Sequence, residues 1–358
     1  MSIVSRRYAK ASIVLLTASL VTGLVACNSG QSGQSVMLNG AGSTFVYPVM
    51  SRWTETFHQT HGDVHVNYQS IGSGGGVQQV KAGTVDFGAS DYPLDDKALG
   101  EMRPMLQIPE TAGPVCLTYN LPGVTQALQL SSDAIAGIFL GTVTSWQDPL
   151  IKKDNPTLTL PNSKIVVVHR SDGSGTTAAF TSYLSAVSAA WKSKVGQGGA
   201  VSWPAGMGGK GSEGVTEGIR QSPGAIGYVE LTYAQQNKLP VASVKNLAGK
   251  YVQPSTASTT AAIAGFADAL SKDPRTAIVN PPATAQDAYP ISTLTFLIIP
   301  KDGADAAKRS ALKKFVAYVI ADGQATAGGL NYAPLPDAVR QYDLKTLSQM
   351  TVNGAPVQ

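Results

Sequence analysis

An α/β fold assembled from strand–loop–helix units is predicted by two features of this sequence. Short apolar, β-branched runs suited to buried strands recur, at residues 36–38, 64–68, 85–90, 164–169, 224–229 and 294–299. Segments with apolar residues at helical spacing lie between them, such as Val46, Met50, Trp53 and Phe57 early on, and Leu312, Phe315, Val316, Val319 and Ile320 near the end. Alternation of this kind implies sheets that are largely parallel, with the ligand crevice at the carboxyl ends of the strands. No internal repeat interrupts it.

The chain has 358 residues, 43% hydrophobic and 14% charged, enough for two lobes with real cores and too apolar for a disordered chain. Its net charge is +4, but Arg6, Arg7 and Lys10 precede any acid; without those three the charge is +1, which argues against a nucleic-acid-binding surface. Residues 1–26 read as an export signal: three cations, an apolar run from Ile13 to Val25, then Cys27. The run is too short to span a membrane comfortably. Leu24-Val25-Ala26-Cys27 resembles the bacterial lipobox, which implies a lipid on Cys27; a plain signal peptide with an incidental cysteine also fits. Residues 27–35, rich in Asn, Ser, Gly and Gln, suit a flexible tether. Cys116 then has no cysteine left to pair with, and its apolar surroundings suggest a buried packing residue.

Along the mature chain, the strand at 36–38 leads into Gly40-Ala41-Gly42-Ser43-Thr44-Phe45 and a helix with Pro48 in its first turn, placing Ser43 and Thr44 at a helix entrance. A second strand, 64–68, precedes Ile71-Gly72-Ser73-Gly74-Gly75-Gly76, read as a loop whose glycines let N–H groups approach a ligand and whose Ser73 offers a hydroxyl. The Gly-x-Gly-x-x-Gly dinucleotide fingerprint is absent. The third strand, 85–90, ends at Asp91, which would repel a bare oxyanion and favour one carrying a proton, or would simply be a turn aspartate before Pro93. A first crossover is placed at Gly113-Pro114.

The central stretch is Arg170-Ser171-Asp172-Gly173-Ser174-Gly175-Thr176-Thr177, between the strand at 164–169 and a helix carrying Ala179, Phe180, Tyr183, Leu184 and Val187 on one face. Unpaired N–H groups and the dipole at the helix entrance attract an anion, and Arg170 adds a fork matched to tetrahedral oxyanions. The same stretch fits a plain glycine-rich turn in which Ser174 caps the helix and Arg170 pairs with Asp172. Residues 254–288 read as a helix and an irregular return, and the helix containing Leu312 stops at Gly323.

Taken together, Gly40-Ala41-Gly42-Ser43-Thr44-Phe45, Ile71-Gly72-Ser73-Gly74-Gly75-Gly76-Val77, residues 85–91, residues 170–176 and Pro223-Gly224-Ala225-Ile226-Gly227-Tyr228-Val229-Glu230 resemble the signatures of phosphate-binding proteins of bacterial phosphate ABC importers, in the same order. The resemblance runs from about Leu38 to the C-terminus. It implies a two-lobed periplasmic-binding-protein fold of type II, each lobe a mixed, mostly parallel sheet flanked by helices, with ligand in the interlobe cleft. Lobe I would comprise 36–113 and 291–358, and lobe II 114–290. It further implies that Thr44, the Phe45 N–H, Ser73 and Asp91 hold phosphate from lobe I, that Arg170, Ser174, Gly175 and Thr176 hold it from lobe II, and that Asp172 orients Arg170. Ser43 and Gly74 stand where the family often has Ala and Ser. No enzyme activity, cofactor or metal is implied. The expected partners are inorganic phosphate, the permease and ATPase subunits of an importer, and a membrane reached through the anchor, with the chain itself a monomer in the periplasm or at the cell surface.

Three rival readings are weaker on the residues. A secreted serine hydrolase or phosphatase would use Ser73 or Ser174, but neither lies in Gly-x-Ser-x-Gly, and His169 should point off the other face of its strand. A metal site from His58, His61 and His65 would have to bridge a helix end and a strand. A sulfate or molybdate receptor is disfavoured by Asp91. Lys210 is followed by Gly211 rather than the Ser or Thr of a Walker A loop, so ATP hydrolysis falls to partner subunits.

Overall fold

A computed structural model describes residues 35–358; the export signal, Cys27 and nearly all of the tether lie outside the described residues. One eight-stranded sheet runs through the body in the order Val64–Ser70, Val36–Gly42, Phe87–Ser90, Ser292–Pro300, Met105–Tyr119, Ala225–Glu230, Val166–Arg170, Met207–Gly209. It is mixed. The first three strands are parallel to one another, as are the last three, while Ser292–Pro300 is antiparallel to both of its neighbours and Met105–Tyr119 is antiparallel to Ala225–Glu230.

The central pair explains this arrangement. Ser292–Pro300 is buried at every position, the outcome expected for a largely apolar strand covered on both faces. Met105–Tyr119 is 15 residues long and pairs with Ser292–Pro300 over its first part, up to Pro114, and with Ala225–Glu230 from Val115 onwards. Gly113-Pro114, where the sequence places a crossover, lies inside this one continuous strand, at the point where its partner changes. Its start was hidden by Gln107, Pro109 and Glu110, which break the apolar pattern. A register shift beside Thr295 skips Glu110, and the Gln324 amide there donates to the Glu110 carbonyl at 2.8 Å.

Helices cover the sheet where their apolar stripes require. Tyr47–Thr60 buries Val49, Met50, Trp53 and Phe57, and the Trp53 indole donates to the Gly323 carbonyl at 2.7 Å. Ala306–Ile320 buries Leu312, Phe315, Val316, Val319 and Ile320 on the predicted face, and a further helix, Gly323–Gly329, begins at Gly323. The stretch 254–288 contains two helices, Thr256–Ala264 and Ala267–Lys272, where one was expected.

The largest departure from the sequence reading is at the three glycines. Helix Ser73–Ala82 starts at Ser73, so Gly74, Gly75 and Gly76 form its first turn and are not a loop. Glycine is a poor helix former, but packing overrides propensity here. A Cβ on Gly76 would lie 2.4 Å from the Gly42 Cα and 2.5 Å from the Ala41 carbonyl oxygen, so only glycine lets this helix rest on the end of strand Val36–Gly42.

Candidate functional site

Three strands deliver the site from their carboxyl ends. Val36–Gly42 leads into Ser43, Thr44 and Phe45; Phe87–Ser90 leads into Asp91; Val166–Arg170 ends on Arg170 itself, one residue earlier than a position beyond the strand. Ser43, Thr44, Phe45, Ser73, Asp91, Arg170, Ser174 and Thr176 are all buried.

Asp91 is the hub. Ser43 donates a short hydrogen bond to its Oδ1, while Thr176 and Ser73 donate to Oδ2 at 3.2 and 3.4 Å. Burial pushes the Asp91 pKa up to about 6, and these hydroxyls together with the charge of Arg170 restrain the rise. Gly175 closes on the same spot: a Cβ there would sit 2.6 Å from the Asp91 Cβ and 2.7 Å from the Ser73 Oγ. Residues more than 80 positions apart in sequence thus converge on one carboxyl.

Arg170 meets Asp172 through two parallel bonds, Nε to Oδ1 at 2.8 Å and Nη2 to Oδ2 at 2.6 Å, with the arginine side chain 2% exposed. The Gly211 N–H donates to the same Oδ1 at 3.0 Å, and the Tyr228 hydroxyl accepts from the Arg170 N–H at 3.1 Å. Burial alone would lower the Arg170 pKa, but the Asp172 carboxylate outweighs it and holds the guanidinium above its ordinary value. Burial would likewise raise Asp172, yet the Arg170 contact leaves it below the usual carboxylate range. Two of the guanidinium nitrogens are thereby committed to Asp172, and Nη1 has no acceptor among the described residues. As the plain-turn reading expects, the turn pairs Arg170 with Asp172, and the Ser174 hydroxyl accepts from the Thr177 N–H at 3.0 Å, capping helix Gly175–Val187.

Thr44 sits against a residue that the sequence reading left unassigned. Its hydroxyl lies 2.9 Å from the Ser212 Oγ and accepts from the Ser212 N–H at 3.1 Å. Ser212 falls in the first turn of helix Gly211–Gln221, and no local periodicity ties residue 212 to residue 44; only the presence of another glycine-and-serine turn hinted at it. Ser43 and Thr44 themselves precede helix Tyr47–Thr60, with Val46 as its N-cap, so they occupy a turn ahead of the helix and not its first positions. The Ser43 hydroxyl reaches back to accept from the Val46 N–H at 3.3 Å.

The rival chemistries find other surroundings. The Ser73 hydroxyl faces a carboxylate and no histidine, since His169 stacks on Trp203 with ring centroids 4.8 Å apart. The His58 and His65 rings meet at a 34° tilt with centroids 4.3 Å apart, and His61 stacks on Phe57; no cluster of three metal-ligating residues occurs among the described residues. Cys116 is buried and its thiol pKa is raised, chiefly by burial, so it is a packing residue.

An α/β body in which buried polar groups converge from distant stretches of chain suits a solute-binding protein, and a family model described as a PBP superfamily domain matches residues 27–323. Among proteins of known family, the chain is 45% identical over 317 residues to the phosphate-binding protein PstS of Xylella fastidiosa, covering 88% of this chain and 86% of that one. It is 42% identical over 309 residues to PstS of Pasteurella multocida (86% and 89%), and 35% identical over 346 residues to PstS of Methanocaldococcus jannaschii (90% and 88%). This chain belongs to the PstS family of phosphate-binding proteins, within the PBP superfamily. Solved structures share its fold: the phosphate-bound periplasmic protein PfluDING at a TM-score of 0.68 and 24% identity (86% and 92% covered), and a phosphate-binding protein of Stenotrophomonas maltophilia at 0.67 and 18% (89% and 97%).

Proposed function

We infer that this protein is the extracytoplasmic subunit of a phosphate ABC importer, which binds inorganic phosphate and hands it to the permease. The observation that carries the reading is the convergence of Ser73, Gly175 and Thr176 on Asp91, beside an arginine already aimed by Asp172.

In this reading phosphate is held by Thr44, the Phe45 N–H, Ser73, Asp91, Arg170, Ser174, Gly175 and Thr176. Hydroxyl and N–H dipoles supply most of the attraction, which suffices because dipoles fixed in a dry site act far more strongly than in water. Asp91 selects. With its pKa near 6 it is mostly ionised at neutral pH and can accept the proton that phosphate retains there. Sulfate has no proton to give and would set an oxyanion against a carboxylate with no hydrogen between them.

Segments 36–113 with 291–358 and segment 114–290 act as two lobes that close on the ligand. The contacts between Gly74 N–H and the Gly173 carbonyl (3.0 Å) and between Thr44 and Ser212 belong to the closed arrangement. A lipid on Cys27 tethers the monomer to a membrane, and the ATPase is a separate subunit. Calorimetric titration of phosphate-stripped protein with phosphate, sulfate and arsenate tests the reading: phosphate should bind and sulfate should not. Absence of phosphate binding would overturn it.

A further inference from the structure

Three successive carbonyls in the turn before helix Tyr47–Thr60 are each held by a tyrosine from a different part of the chain. Tyr68 donates to the Ser43 oxygen at 2.9 Å, Tyr233 to the Thr44 oxygen at 2.7 Å, and Tyr332 to the Phe45 oxygen at 2.7 Å. A trans peptide points its N–H opposite to its carbonyl, so fixing oxygens 43 to 45 also fixes the N–H groups of residues 44 to 46. The Val46 N–H is taken by the Ser43 hydroxyl, whereas the N–H groups of Thr44 and Phe45 find no acceptor among the described residues. Two unspent backbone donors in a buried turn require a partner.

Tyr233 differs from the other two in where it comes from. Tyr68 and Tyr332 fall in segments 36–113 and 291–358, as Thr44 does, but Tyr233 belongs to segment 114–290. Its hydroxyl also lies 2.9 Å from Glu213 Oε1, a neighbour from its own segment. One hydroxyl proton faces two acceptors. When the segments part, Glu213 remains within reach and the Thr44 oxygen does not.

We propose that Tyr68, Tyr233 and Tyr332 are positioning residues that aim the Thr44 and Phe45 N–H groups at phosphate, and that Tyr233 redirects its hydroxyl hydrogen bond from Glu213 to the Thr44 carbonyl as the lobes close. This rests on the reading of the site as the phosphate pocket. Tyr68 and Tyr332 pre-set the turn in both states; Tyr233 completes it only in the closed one and so retards phosphate release without speeding capture.

The test is stopped-flow phosphate binding on the whole stripped protein, with thermal melts taken in the absence of phosphate. Tyr233→Phe is expected to speed phosphate dissociation by about tenfold, the scale of one net hydrogen bond, while the association rate and the phosphate-free melting temperature stay at parental values. Tyr332→Phe is expected to weaken binding by slowing association as well. Glu213 also accepts from the Ser70 hydroxyl of the other segment at 3.3 Å, so Ser70→Ala is its control: Glu213→Ala should leave dissociation no faster than Ser70→Ala does, and faster dissociation than that would place the clasp on Glu213 and overturn the switch. Ser73→Ala separates the two levels of inference. If it binds phosphate as the parent does, the site reading fails. If it binds weakly while Tyr233→Phe dissociates at the parental rate, the positioning role alone fails.

Discussion

At the scale of single residues, the proposed selectivity rests on Asp91. It collects hydroxyls from Ser43 and Ser73 of its own segment and from Thr176 of the other, so the first two can hold the carboxyl before the segments meet. Replacing it with asparagine keeps the shape, removes the charge and introduces an N–H donor that can meet an unprotonated oxyanion. Asp91→Asn should therefore narrow the preference of phosphate over sulfate by at least about tenfold, or roughly 1.4 kcal/mol, in competition calorimetry. Unchanged relative affinities would assign selectivity to another residue. The residues that gather at Asp91 were visible in the sequence because each follows the end of a strand, Ser43, Ser73 and Thr176 with glycines beside them. Ser212 and Tyr233 were not, since what places them against Thr44 is the apposition of two distant segments.

At the scale of elements, glycines do two different jobs that one substitution each can separate. Gly76 lets a helix touch the strand beneath it, within one segment, whereas Gly175 lets the turn at Ser174 approach Asp91 and Ser73 from the other segment. Gly76→Ala should lower stability by about 1–3 kcal/mol, as overpacking does, read from the denaturant midpoint without phosphate. Gly175→Ala should leave that midpoint nearly untouched and weaken phosphate binding. The reverse pattern would mean that the turns at 73 and 175 form one rigid body.

The elements also show where local sequence signals stop. The run at 294–299 announced its strand because covering it on both faces demands mostly apolar residues, and only Thr295 interrupts it. The helix at Ser73 was masked by its three glycines, chosen for backbone approach at the expense of propensity. The beginning of Met105–Tyr119 was masked by Gln107 and Glu110, buried polar residues in a central strand. Gln107 is satisfied by the Leu94 backbone, which donates at 2.7 Å and accepts at 2.9 Å, a pairing that only the tertiary fold supplies.

At the scale of the whole molecule, the buried carboxyls set how stability follows pH. Burial raises Asp91 to about 6, and Glu110, Glu230 and Asp343 each to about 8. All four have folded-state pKa values above their unfolded ones. Their contribution to stability is therefore fully present below about pH 4, where both states are protonated. It is lost as pH rises through 6 and then 8. Chemical denaturation of the stripped protein should show a midpoint that declines from about pH 5 to pH 9, and Glu110→Gln should flatten the upper part of that slope. Among the described residues neither oxygen of Asp343 has a hydrogen-bond partner, and for Glu110 only the neighbouring Thr295 hydroxyl restrains the rise. A midpoint that rises across this range would contradict the assignment.

Strand Ser292–Pro300 lies between Phe87–Ser90 and Met105–Tyr119, and so separates two strands made some two hundred positions earlier. Until it arrives, those earlier strands have unpaired edges facing each other across a gap that nothing else in the chain fills. The sheet can be completed only once nearly the whole polypeptide is present, and its pairings span long sequence separations, which makes folding slow. Synthesis alone therefore leaves the chain incompletely folded for a time. That interval suits a protein whose work lies on the far side of a membrane, because a chain still lacking its inner strand can be threaded across while a finished sheet cannot.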